Sequence, residues 1–176
     1  MTAEGLGALE RACTPAEAIA FFDGLAPVPA EELTGRWRGR ELPTGHPMDG
    51  LLAASGWYGK QFDDVDHVHP LLFVTPGGEI FPVDPRRIPL ALAGRVPPAA
   101  VRRGRKALGV LEPVLRSRRH RARLREVRHR AVVTAAMVYD DLPIIDVFRR
   151  VDADTVLGVM DLRGVPEPYF FVLQRD

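Results

Sequence analysis

From Leu124 onward the chain alternates, and this alternation constrains the fold more than any other feature. Val127, His129, Ala131, Val133, Ala135, Met137 and Tyr139 share one parity; Glu126, Arg128, Arg130, Val132, Thr134, Ala136 and Val138 share the other. Side chains of a strand point to opposite faces in turn, so a period of two with small and β-branched residues predicts one long strand. Asp140-Asp141-Leu142-Pro143 turns the chain, 144–151 is the next strand, and Asp152-Ala153-Asp154 is the next turn. Strands 155–162 and 169–175 follow, parted by Arg163-Gly164-Val165-Pro166. The result is a meander of four antiparallel strands, partly apolar on both faces near its end. Open edges of such a meander invite wrong pairing, and closure removes them. The fold class predicted is mainly β: an antiparallel barrel or strongly curved sheet.

Upstream, Gly35-Arg36-Trp37-Arg38-Gly39 sets a tryptophan between two glycines in a polar-apolar-polar pattern. It reads as the opening strand, about 33–41. Before it, Met1 to Ala12 reads as a loose lead-in, and Thr14-Pro15-Ala16-Glu17 as a helix start with a capping box. Ala18, Ile19, Phe21 and Phe22 give that helix an apolar side and Gly24 stops it, so it must pack on something, for instance as a lid or plug at one end of a barrel. Asp49 offers a cap for a second helix over 50–61, with Leu51, Leu52, Ser55 and Tyr58 on one side. Residues 71–74 and 79–83 flank Pro76-Gly77-Gly78 as a hairpin, with Pro82 marking an edge or bulge. Two short helices thus accompany the sheet. The stretch 102–123 is basic and helical around 108–115, where Pro113 interrupts it.

A chain of 176 residues, 46% hydrophobic, holds one folded domain with a real core, placed at 14–176. Within it, 14–90 forms an N-terminal part, 91–119 a basic connecting segment and 120–176 the C-terminal meander. Net charge is only +1, yet thirteen Lys/Arg face two Asp/Glu between Arg95 and Arg130. The molecule is polarised. That run is either a solvated face or a surface for an anionic partner: nucleic acid, acidic lipid or a phosphorylated ligand. It lacks the interleaved aromatics of a single-strand nucleic-acid platform. Cys13 is alone, so no internal disulfide forms. No signal peptide is expected at 1–10, and no apolar run approaches the roughly 20 residues of a spanning helix. The default is a soluble cytoplasmic protein without a membrane span.

Chemistry-bearing residues are few. His67 and His69 share a face if extended, half of a metal site, with Asp63, Asp64 and Asp66 close in sequence. No further ligand stands at a defined spacing, and a polar loop is the alternative. His46 between Gly45 and Pro47 suits a turn or a pocket rim. His120 lies in the basic region, and His129 falls on the apolar parity of its strand and points inward. Asp146 and Asp161 each sit in an apolar strand, where a buried carboxylate needs a partner. Arg149, Arg163 or Tyr139 can supply one. Three readings stay open for them: structural salt bridges, polar anchors in a ligand cavity walled by Trp57, Tyr58 and Tyr139, or an acid–base pair. There is no phosphate-cradling glycine loop, no nucleophile elbow at Ser55-Gly56 and no zinc-finger spacing.

Gly35 to Gly39 matches the motif that names the GXWXG family. The run from Met137-Val138-Tyr139-Asp140-Asp141 through Val156-Leu157-Gly158-Val159-Met160-Asp161, with Tyr169 to Arg175 at its close, resembles the companion DUF4334 family. Together they cover nearly all of the chain beyond about residue 20; the pairing implies a fold but no activity. A looser resemblance is to calycins (lipocalins, fatty-acid-binding proteins, nitrobindins), which open with a Gly-x-Trp strand and close with an arginine packed over the tryptophan. Here Gly35, Trp37 and Arg175 match, and the resemblance implies that Trp37 lies against Arg175. Nitrobindins hold haem through a C-terminal histidine; this chain has none after His129.

The leading expectation is non-catalytic binding of a small apolar or amphipathic molecule inside the sheet, near Trp57, Tyr58, His129, Tyr139, Asp146 and Asp161. Gly35, Trp37, Gly39 and Arg175 are read as structural closure. No cofactor is predicted, though haem or lipid would suit such an interior. The rivals are an enzyme centred on Asp146, Asp161 or Tyr139, and an interaction module using the basic surface from Arg95 to Arg130. A homodimer is a further alternative.

Overall fold

The computed structural model describes residues 2–89 and 95–176; residues 90–94, at the junction of the N-terminal part and the basic connecting segment, lie outside the described residues. Two helices open the chain, α1 (Thr2–Arg11) and α2 (Pro15–Gly24), then β1 (Gly35–Glu41), the short α3 (Leu51–Ser55), β2 (Trp57–Phe62), β3 (Val68–Val74) and β4 (Ile80–Pro82). Helices α4 (Pro98–Arg105) and α5 (Leu108–Leu115) precede β5 (Ala122–His129), β6 (Val132–Tyr139), β7 (Ile144–Arg150), β8 (Thr155–Leu162) and β9 (Tyr169–Arg175). All pairings are antiparallel and they close into a ring. From β1 the order runs through β9, β8, β7, β6, β5, β3 and β2 back to β1, and β4 hangs on β3 as an outer edge. Pro82 sits on that edge strand, where a missing N–H does no harm.

The ring has an apolar filling and an apolar coat. Inward residues such as Trp37, Phe62, Leu124, Met137, Phe148 and Phe171 form the inner core. Outward residues of β6 to β9, including Ala136, Val147, Leu157, Phe170 and Val172, pack under α1 and α2 with Leu6, Ala18, Phe22 and Leu25. This explains why both parities of the C-terminal strands are apolar: strands covered on both faces lose the polar half of the alternation. Burying Phe22 alone is worth about 1.5–3 kcal/mol. The capping box of α2 is made as expected, Glu17 N–H donating to Thr14 Oγ1 at 3.3 Å and Thr14 N–H to Glu17 Oε2 at 2.8 Å. The helix lies on the outside of the sheet, however, rather than plugging one end. Arg149, buried on the same outer face, ties it down, donating to the Leu25 carbonyl at 3.0 Å with its guanidinium 5.2 Å from the Phe22 ring.

Several expectations change. The lead-in is a helix: α1 gains its stability from Leu6, buried beneath it, and not from propensity, since Gly5 and Gly7 weaken it. Among the described residues there are five helices instead of two, with α4 and α5 in the basic segment and Pro113 inside α5. The long strand predicted through 139 is a hairpin. Arg130 (φ 48°) and Ala131 (φ 66°) form a two-residue turn between β5 and β6, a left-handed conformation these residues do not advertise. The second helix ends at Ser55, because Gly56 (φ 85°) turns the chain out and Trp57 to Phe62 continue as a strand. Asp49 does not cap that helix. Its carboxylate gathers the N–H groups of Thr44, Gly45 and His46, while Glu41 receives those of Gly50, Leu52 and Ala53 at the helix start.

Candidate functional site

The ring holds a cavity of about 440 Å³, walled by inward residues of the sheet, by α3, α4 and α5, and by the segment 87–89. Its described lining is almost wholly aliphatic and aromatic, with Leu52, Trp57, Leu71, Phe73 and Phe171 among the larger contributors. Ser55, Arg87 and Arg105 also reach the lining, and one buried polar centre lies in it. The Lys60 ammonium, 2% exposed, stands 2.8 Å from Asp146 Oδ2 and donates to the Pro70 carbonyl at 3.1 Å and the Tyr139 hydroxyl at 3.5 Å. Its three protons are therefore matched by three acceptors, the condition for burying a lysine without a large penalty. It also lies 5.0 Å from the Phe171 ring centroid. Asp146 Oδ1 is buried with no partner among the described residues. Burial pushes the Asp146 carboxyl above its ordinary range against the opposing pull of Lys60, and burial followed by the Asp146 charge pushes the Tyr139 phenol well up. Tyr139 thus keeps its proton and can donate it, beside a carboxylate oxygen free to accept.

Glycines shape this centre. The β2 ladder slips at Gly59 (φ 151°), where a Cβ would stand 1.9 Å from the Trp37 carbonyl oxygen. That bulge lets Trp57 and Lys60 both face inward although their parities differ. Gly39 makes room for the Trp57 ring, which a Cβ there would meet at 2.2 Å. The second glycine of the opening motif therefore shapes a wall of the cavity. Tyr169 reaches the Glu41 carboxylate at 2.6 Å, linking β9 to the anchor of α3.

Of the residues expected around a cavity, Trp57, Tyr139 and Asp146 come together and three do not. The bulge turns Tyr58 outward, where its hydroxyl meets Asp176 at 2.7 Å. Asp161 pairs in register with Ile145, which packs against the outer core, so it is exposed on the outer face. His129 follows from the hairpin. It pairs with Val132, which is of even parity, whereas the inward residues of β6 are odd. A two-residue turn reverses parity, so His129 leaves the face of Met137 and Tyr139 and meets Phe22 edge-on at 6.1 Å. Burial lowers its imidazole below the usual range. His129 and Asp161 together line a second cavity of about 330 Å³ against α2. Asp146 takes neither Arg149 nor Arg163 as partner but Lys60, which the sequence reading passed over because it assigned Trp57 to Gln61 to a helix.

At the end of the ring where β1 meets β9, the Arg175 guanidinium lies 4.3 Å from the Trp37 ring centroid and donates to the Thr34 and Glu32 carbonyls at 2.6 and 3.0 Å. Gly35 takes φ 97°, a value that suits glycine. The basic run is partly neutralised by the fold: Arg116, Arg121, Arg123, Arg125 and Arg130 all face acidic partners. No helix among the described residues is long and apolar enough to cross a membrane.

Comparison with known proteins agrees with this architecture. Residues 20–78 match the GXWXG protein family and residues 120–175 match a domain of unknown function, DUF4334. A crystal structure of a protein from Thermomonospora curvata is 36% identical, with a TM-score of 0.71, over 98% of this chain and 99% of that one. No curated protein matches. The chain belongs to the family that joins a GXWXG segment to a DUF4334 segment.

Proposed function

We propose that the protein binds, without transforming it, a small and mainly apolar molecule whose single polar end both donates and accepts hydrogen bonds. The observation that carries this reading is the mainly apolar cavity of about 440 Å³ with the buried Lys60–Asp146–Tyr139 centre in its wall. Its volume falls in the range of small-molecule sites, and such sites combine apolar walls with a few convergent polar groups. A hydroxyl, a neutral acid or an amide would accept from Tyr139 and donate to Asp146 Oδ1. Native mass spectrometry of freshly purified protein, with displacement of a fluorescent apolar probe, tests this. A co-purified small molecule, or saturable probe binding at one site per chain, supports it. A protein that carries nothing and takes up no probe overturns it.

A second reading, an acid–base enzyme on the same cavity, is favoured by one observation: Lys60 Nζ touches both Asp146 and Tyr139, holding a carboxylate and a phenol at one point. The two readings separate on the ligand itself. Recovered unchanged after incubation at loading concentration, it supports binding alone; recovered altered, it supports an enzyme.

A further inference from the structure

Apart from the cavity, three donor groups meet on the surface where the ring is most thinly stitched. Asp63 directly follows β2, His69 lies in β3, and His120 precedes β5. One ligand atom from each lies within 4.8 Å of the other two. His120 Nε2 is 2.8 Å from Asp63 Oδ2, and the His69 and His120 rings are 4.4 Å apart between centroids. Two imidazoles and a carboxylate form a donor set for a borderline divalent ion.

The surroundings favour this use. Gln61 Nε2 donates to Asp63 Oδ1 at 2.7 Å, which fixes the carboxylate and leaves Oδ2 turned to the histidines. His69 Nδ1 is buried with no hydrogen-bond partner among the described residues. His67 stands apart from the set. It is exposed and bonded to Asp64 at 2.8 Å.

We propose that Asp63, His69 and His120 bind one divalent transition-metal ion of the Zn²⁺ class, which fastens the β2–β3 end of the sheet to β5. The fastening matters because β3 and β5 share a single ladder pair, Val68 with Ala122, supplemented by the Arg121 N–H to Val68 carbonyl bond at 2.9 Å and the Leu124 N–H to Val65 carbonyl bond at 2.7 Å. An ion with bonds of about 2.1 Å sets tetrahedral donors about 3.4 Å apart, so the Asp63–His120 pair opens from 2.8 Å, an adjustment that the exposed Asp63 and half-buried His120 can make by side-chain rotation. On binding, His120 Nε2 gives up the proton it shares with Asp63, to Nδ1 or to solvent.

The test uses the full chain after chelator treatment, with Zn²⁺ followed by calorimetry and Co²⁺ by its visible absorption. One ion per chain is expected, with slower amide exchange at 65–69 and 120–124, and a Tm rise of about 5–10 °C at a hundredfold excess of Zn²⁺ over its Kd. His69→Ala and His120→Ala should each weaken binding by about 100-fold or more. Asp63→Asn, which keeps the shape of the side chain, should weaken it by about 10-fold or more. His67→Ala should leave it unchanged. Absence of stoichiometric uptake overturns the site. So does parental affinity in any of the three ligand variants, or loss of binding with His67→Ala alone. Binding without slowed exchange at the seam overturns the fastening.

Discussion

Lys60 is the residue on which the interior turns. Breaking a buried pair from one side leaves an uncompensated charge, whereas replacing both partners with apolar groups is often neutral or better. Lys60→Met should therefore destabilise the protein by about 3–5 kcal/mol, measured by urea denaturation, and the double variant Lys60→Met with Asp146→Leu should recover most of that loss. A double variant that is stable but no longer holds the bound molecule would assign the pair to ligand recognition. One that is stable and still binds would assign it to architecture. Asp84 raises a different point, because it ties the turn after β4 to the residue before β5 through charge. Its buried carboxylate accepts from the Arg86 backbone N–H and from the Arg86 guanidinium, 2.8 Å at the shortest, and from Arg121 at 3.1 Å. Arg86 is the first cause that draws its pKa from 3.8 down to about 2. A carboxyl depressed in the folded state adds stability that is complete above its unfolded pKa, near 3.8, and lost as pH falls through about 2. Denaturation of Asp84→Asn beside the parent should show the widest gap at pH 5–7 and a closing gap towards pH 2. A gap independent of pH would remove the carboxylate as its source.

Two backbone turns decide where whole elements face. Gly59 carries the bulge that brings Lys60 and Trp57 to the same side, and a Cβ there would stand 1.9 Å from the Trp37 carbonyl oxygen, well inside contact distance. Gly59→Ala cannot be absorbed by a flexible side chain there. We expect a loss of about 3 kcal/mol or more, measured as a fall in the denaturation midpoint, together with loss of any cavity binding. The β5–β6 turn should behave in the opposite sense. Ala131 holds φ 66°, at a cost of about 1–2 kcal/mol that glycine avoids, offset in part by the greater freedom of glycine in the unfolded chain. Ala131→Gly should raise stability by about 0.5–1 kcal/mol while Arg130 keeps its ion pair with Asp23; Ala131→Val should lower it. The same two turns mark the limit of what sequence revealed. The strands 144–150, 155–162 and 169–175 were legible because short runs rich in apolar residues lie between turns rich in Asp, Gly and Pro. The Arg130–Ala131 turn was not, since neither residue carries a turn preference, and missing it sent His129 to the wrong face. Lys60 was hidden because Gly56 and Gly59 read as weak points of a helix instead of an exit and a bulge. His120 could not be joined to His69 from spacing alone, because only the β3–β5 pairing brings them together.

The whole molecule is a ring with two places of closure, one strong and one thin. β1 and β9 share five ladder partners, and the pair Trp37–Arg175 sits at their end, with Arg175 stacked on the ring and bonded to two carbonyls of the segment leading into β1. β3 and β5 share one. The unequal seams mean that local opening should start between β3 and β5 in the metal-free protein, and that the β1–β9 seam should resist until global unfolding. Arg175 is the lever on the strong side. A cation–π contact contributes about 0.5–2 kcal/mol, and hydrogen bonds from a charged donor about 1.5–3 kcal/mol. Their sum is reduced by solvent, because the side chain is about one-third exposed. Arg175→Ala should accordingly cost about 2 kcal/mol, and Arg175→Lys should cost nearly as much, because an ammonium cannot bridge the Thr34 and Glu32 carbonyls with a fork. Hydrogen exchange locates the effect. With Arg175→Ala, amides of β1 and β9 should lose protection ahead of those in β6 and β7, so that two weak seams replace one. If protection in β1 and β9 instead stays at the level of the parent while overall stability falls, the ring is held there by its ladder and by the Trp37 core contacts, and the arginine acts only through global stability.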